Sequence, residues 1–252
     1  MHLEEFAEGN SFLHRLDPRV KLITFIPYVF TIALMRDING PLAGLFISAS
    51  MIILAGISFR KLFNRLVAIN TFIFVLWIFL PFSYPGQPVF SIFSLTATRE
   101  GFLYTLSITL KANAIFLATI AILGTSEVTS LAHALVHFKI SAKLVHLFFF
   151  FYRYISVLHE EYRRLRNAMA IRSFRPATNI HTYRTYGYLV GMLIVRSYER
   201  SQRIYKAMLC RGSSGKFHLM SHFKLGRKDI LFALIMPVIT FMIWLVDKYS
   251  FF

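Results

Sequence analysis

Five apolar runs, near 20–35, 41–57, 66–82, 102–124 and 230–246, dominate this chain. A helix needs about 17 to 25 residues to cross a hydrocarbon core about 30 Å thick, and each run is close to that length. Lipid cannot satisfy backbone N–H and C=O groups, so such runs must bond internally as helices. The expected fold is an all-α polytopic membrane protein with about five transmembrane helices. Composition agrees: 56% of residues are apolar, 27 are Phe and mean hydropathy is +0.56, which excludes an ordinary soluble globule. The first run is the weakest, with Pro27 inside it, and Lys21 is expected to snorkel to the interface to complete its length.

The formal charge of +16, from 28 Lys+Arg against 12 Asp+Glu, would suggest nucleic acid in a soluble protein. Here the basic residues sit between and beside apolar runs, so a membrane reading takes precedence and no nucleic acid is expected. With the N-terminus inside, the cytoplasmic side receives Arg15, Arg19 and Lys21, then Arg60, Lys61 and Arg65, then all 18 Lys+Arg of residues 125–229, 24 in total. The outer side receives three, Arg36, Arg99 and Lys248, each beside an acid, while Lys111 falls inside the fourth run. That asymmetry places the N-terminus in the cytoplasm and the C-terminus outside. The chain opens on the acidic stretch Met1 to Glu8, unlike a cleaved secretory signal. Cys210, the one cysteine, can form no intramolecular disulfide and no Cys metal cluster.

The expected division is 1–124 with four membrane helices, 125–229 as a cytoplasmic helical region, and 230–252 as the last membrane helix. A segment of that central length needs structure of its own. It reads as a short helix over 127–139 and two long ones over 141–173 and 179–211, separated by Pro176 and ended by Gly212. Laid on each other with an offset of 39 residues, the long helices repeat. Glu160 matches Glu199, Arg164 matches Arg203, Ala168-Met169 matches Ala207-Met208, and Arg172-Ser173 matches Arg211-Gly212. A small Ala, a flexible Met and a terminal Arg form a thin apolar ridge with a planar fork for carboxylates. A single Arg at a helix end would only complement the dipole, worth about 0.3–1 kcal/mol. Recurrence of the whole pattern favours two similar docking ends. Gly187 and Gly191, one turn apart, each cost about 1 kcal/mol relative to Ala, which suggests that the two long helices cross closely there. Tyr183, Tyr186 and Tyr188 beside them suit a boundary of headgroups and protein.

These residues resemble a known family. Ser11-Phe12-Leu13-His14-Arg15-Leu16-Asp17-Pro18-Arg19-Val20-Lys21 is similar to the N-terminal signature of the transmembrane T components of energy-coupling-factor importers. Gly124-Thr125-Ser126-Glu127-Val128-Thr129-Ser130-Leu131 resembles the segment leaving their fourth membrane helix. The ends Ile171-Arg172-Ser173 and Cys210-Arg211-Gly212 resemble the paired Ala-Arg-Gly signatures, with the Ala replaced in both. Thr182 to Gly187, Leu189 to Leu193 and Ala207 to Gly212 look most like the cobalt/nickel CbiQ branch. The resemblance implies a non-catalytic subunit that binds two ABC-type ATPases through its coupling helices and holds a separate substrate-binding membrane subunit, for cobalt or nickel uptake. A vitamin-type substrate is the alternative within the family. It further implies that Arg172 and Arg211 each meet acidic groups of an ATPase, and that ATP and Mg are held by those partners, with no cofactor on this chain.

Other residues invite other chemistries. His133 and His137 have the i, i+4 spacing of a zinc helix, but the Glu of a His-Glu-x-x-His motif is missing between them. His218 and His222 repeat that spacing in a basic stretch, and His2 stands alone. An intramembrane metalloenzyme built on these histidines is therefore the weaker reading. A self-sufficient transporter would need polar or ionisable residues in several runs, and only the fourth has them. Lys111, with Ser107, Thr109 and Asn113 near it, is expected to make either a structural pairing or a subunit contact. No phosphate-cradling loop is present, so ATP hydrolysis falls to another chain.

Overall fold

Asp17 and Pro18 start the first helix: the Asp17 carboxylate accepts from the Arg19 N–H at 2.9 Å, and Pro18 sits where a missing N–H costs nothing. The computed structural model describes residues 6–7, 9–35, 37–92, 95–138, 141–213 and 225–249. His2, Arg36, Lys139, Gly215, His218, His222 and the side chain of His137 lie outside the described residues. Among the described residues, eight α-helices follow in order: α1 (Pro18–Leu34), α2 (Asn39–Ala55), α3 (Phe59–Ser83), α4 (Arg99–Ala118), α5 (Val128–His137), α6 (Ala142–Ile171), α7 (Ile180–Cys210) and α8 (Arg227–Tyr249). A π-helical turn, Thr119–Leu123, extends α4. Between α3 and α4 lies a small antiparallel hairpin, β1 (Pro88–Ile92) and β2 (Leu95–Thr98), an addition to the expected all-helical fold.

Among the described residues, three helical segments are long and apolar enough to cross a membrane: α3, α4 with its π turn, and α8. Apolar α2 has 17 residues, as does α1. The side chains are arranged for lipid. Large apolar groups such as Ile53 at 79% and Phe72 at 72% exposure face outward, while Tyr28, Thr24, Ser48 and Thr105 are buried. Each of these four hydroxyls is bonded, as a low-dielectric interior demands. Tyr28 donates to the Gly44 carbonyl at 2.7 Å and lies 2.7 Å from the Ser48 hydroxyl, joining α1 to α2. Asn70 and Asn113 exchange amide hydrogen bonds of 3.0 Å, and Trp77 donates to Thr109 at 3.0 Å, joining α3 to α4.

These contacts also fix direction. Lys21 meets Thr125 and Met35 meets Lys111, so α1 and α4 are antiparallel. Asp17 meets Asp229 and Asp37 meets Asp247, so α1 and α8 run the same way. Successive crossings require this alternation.

By contacts the chain forms two compact units: residues 139–222, holding α6 and α7, and the remainder, holding the other helices. α5 packs on α1 and so goes with the membrane helices, whereas the sequence alone places a boundary at 124–125.

Candidate coupling site

The repeat seen in the sequence is also a repeat of backbone geometry. At the end of α6, Phe174 N–H donates to the Met169 carbonyl at 3.1 Å, closing over Ser173 in the left-handed region at φ 61°. At the end of α7, Ser213 N–H donates to the Met208 carbonyl at 3.0 Å, closing over Gly212 at φ 75°. Both are Schellman closures, in which the residue two past the cap bonds back to satisfy an orphan carbonyl. Arg172 and Arg211 occupy the same cap position in each, with N–H bonds of 3.2 Å to the carbonyls of Ala168 and Ala207. Both arginines are exposed, as are Ala168 and Ala207, while Met169 and Met208 are half-buried.

Glu161 and Arg196 hold the two long helices together. The carboxylate accepts from the Arg196 guanidinium, and Arg164 stands 3.8 Å from its other oxygen. The hydrogen bond from Arg196 keeps the Glu161 carboxyl below its ordinary value, helped by the charges of Arg196, Arg164 and Arg200. Toward the other end, Phe150, Tyr154, Ile204 and Met208 line an open apolar groove of about 500 Å³. Glu161 bonds to Arg196, and Phe150 of α6 lines the same groove as Met208 of α7, which makes the pair antiparallel. Arg172 thus lies at the α6–α7 turn, and Arg211 lies at the far end of α7, about 45 Å away along 31 residues at about 1.5 Å each.

The close approach expected at Gly187 and Gly191 is corrected by this geometry. A Cβ built at either glycine would meet nothing within 4 Å, so neither admits a neighbouring helix within this chain. The helix contact is carried by Glu161, Arg196 and the groove residues. Around the glycines, Tyr183, Tyr186 and Tyr188 are exposed, with Arg184 donating to the Tyr188 hydroxyl at 2.8 Å.

Within the membrane unit the N-terminal signature at residues 11–21 meets the segment at 124–131. Lys21 does not snorkel: it is fully buried, and its ammonium donates to the Thr125 carbonyl at 3.3 Å, the Thr125 hydroxyl at 3.0 Å and the Ser126 hydroxyl at 2.5 Å. Three protons find three oxygens. Thr125 in turn donates its hydroxyl hydrogen to Ala121 O at 2.9 Å. The π turn supplies this presentation, and Gly124 permits it, since a Cβ there would lie 2.6 Å from Ile120 O. Asp229, at the head of α8, accepts from the Asp17 N–H and from the Gly226 N–H, both at 2.8 Å, and is an electrostatic neighbour of Lys21. Just upstream, His14 Nε2 must donate to the Phe6 carbonyl at 2.9 Å, so Nδ1 accepts from Ser11 at 2.6 Å. Asp229 escaped the sequence reading; its signal was an acid at the head of the last apolar run, with Lys21 at the head of the first.

Lys111 donates to the Met35 carbonyl at the C-terminus of α1, with Asp247 as its electrostatic neighbour. Of its two expected roles, the structural pairing is present. His133 is buried in α5.

The family profile described as CbiQ, cobalt transport protein, matches residues 9–222. An energy-coupling factor transporter transmembrane protein EcfT of Streptococcus equi subsp. equi is 27% identical over 87% of this chain and 87% of its own length. The EcfT of Leuconostoc gelidum subsp. gasicomitatum is 28% identical over 88% and 89%. An uncharacterized protein of Methanocaldococcus jannaschii is 26% identical over 97% of this chain and 86% of its own length.

Proposed function

Since the chain belongs to the CbiQ cobalt transport protein family and is the transmembrane component of an energy-coupling-factor transporter, we propose that it couples two ABC-type ATPase subunits to a separate substrate-binding membrane subunit. Arg172 and Arg211 are the docking ends, each meeting acidic groups of one ATPase. The observation that carries this reading is the identity of the two Schellman closures, with exposed arginines in matching places on one antiparallel pair. Two equivalent ends suit two equivalent partners. Ala168, Met169 and Ser173 flank the first arginine, and Ala207, Met208 and Gly212 the second. A charge-assisted hydrogen bond of this type contributes about 1.5–3 kcal/mol.

ATP and Mg belong to those partners, and the motion of their closing reaches the membrane helices through α6 and α7. The termini are assigned from the distribution of Lys and Arg, N-terminus cytoplasmic and C-terminus outside. Cobalt is the transported ion favoured by the family description, with nickel as its chemical neighbour. Copurification from native membranes, with identification of the chains recovered, tests the assembly. An ABC ATPase and a small second membrane protein are expected; recovery of this chain with neither contradicts the reading.

A further inference from the structure

We propose that Lys21 is a positioning residue for energy coupling, which fastens the head of α5 to α1 so that force delivered to the coupling helices is passed into the membrane bundle. The inference rests on the coupling function above. Its observation is separate: the Lys21 ammonium places all three of its protons on two adjacent residues, Thr125 and Ser126, at the joint where α4 ends and α5 begins.

Three features show a joint built for this contact. The π turn and Gly124 shift the chain at the end of α4 so that a carbonyl and two hydroxyls converge on one point. Beyond it, α5 packs on α1, and α5 leads by backbone continuity into α6. Behind Lys21, Asp229 ties the start of α8 to the N–H of Asp17 and adds an opposite charge. A buried cation, bonded to neutral oxygens at one joint, resists separation of α1 from α5, because separation would strip all three bonds together. A hydrophobic contact at the same place would allow sliding. Directional bonds fix position.

The complete transporter in liposomes tests this, with uptake and ATP hydrolysis measured on the same preparation. Lys21→Met keeps the stem and removes the protons. It is expected to assemble with the ATPases and hydrolyse ATP while importing at least about ten-fold less substrate per ATP. Ser126→Ala, which removes one half-exposed acceptor, is expected to lower uptake per ATP about two- to five-fold. A merely structural role would reduce the amount of assembled transporter and leave the ratio unchanged. Unchanged uptake per ATP in assembled Lys21→Met overturns the proposal. If Lys21→Met does not insert, Ser126→Ala decides in the same way. A wild-type chain that binds no ATPase would instead defeat the coupling function itself.

Discussion

Ser173 and Gly212 hold the same left-handed place at the ends of α6 and α7, at φ 61° and 75°. Among the described residues, Ser173 is the one non-glycine with positive φ. A side chain there costs about 1–2 kcal/mol against glycine. Ser173→Gly is therefore expected to stabilise the α6–α7 unit by about 1 kcal/mol, and Gly212→Ser to destabilise it by a similar amount. Thermal unfolding in detergent measures both.

Gly124 has a different constraint. Its backbone is ordinary, but a Cβ would lie 2.6 Å from Ile120 O inside the π turn. Gly124→Ala is expected to cost about 1–3 kcal/mol as overpacking. The readout is a lower melting temperature, with no matching loss for Gly187→Ala, whose site is open.

Glu161 gives the long helix pair a pH dependence. Its carboxyl is held below the ordinary value chiefly by the Arg196 hydrogen bond. A group depressed on folding contributes stability above its unfolded pKa and loses it as pH falls through the folded one. The α6–α7 contact is thus expected to be constant through neutral pH and to weaken in acid below the ordinary carboxylate range. Interhelix distances from paired spin labels, followed on acidification, check this; Glu161→Gln should remove the transition.

Much of this was legible in the sequence because it is written in periodic apolarity and in local turn chemistry. The membrane runs, the break at Pro176 and the repeat ending at Arg172 and Arg211 are local signals, and each has its counterpart in the helices observed. What escaped is pairing at a distance. Lys21 looked like a cation reaching for water because nothing near it in sequence marks Thr125 as its partner, 104 residues on. Gly187 and Gly191 carried the opposite error: small residues permit a close approach but do not supply the helix that makes it.

Lys111 separates structural from subunit roles. Lys111→Met leaves the Met35 carbonyl without its donor and is expected to cost about 1–3 kcal/mol. Melting of the isolated chain should show the loss in full; a loss seen only in the assembled transporter would make Lys111 a partner contact.

The most direct test of twin docking ends places a photo-crosslinking residue at Ile171 and, in a second variant, at Cys210, the equivalent positions beside Arg172 and Arg211. Irradiation of the assembled transporter is predicted to join each variant to an ATPase subunit, with both adducts lost when the adjacent arginine is replaced by Ala. An ATPase adduct from only one position, or from neither, would contradict the account.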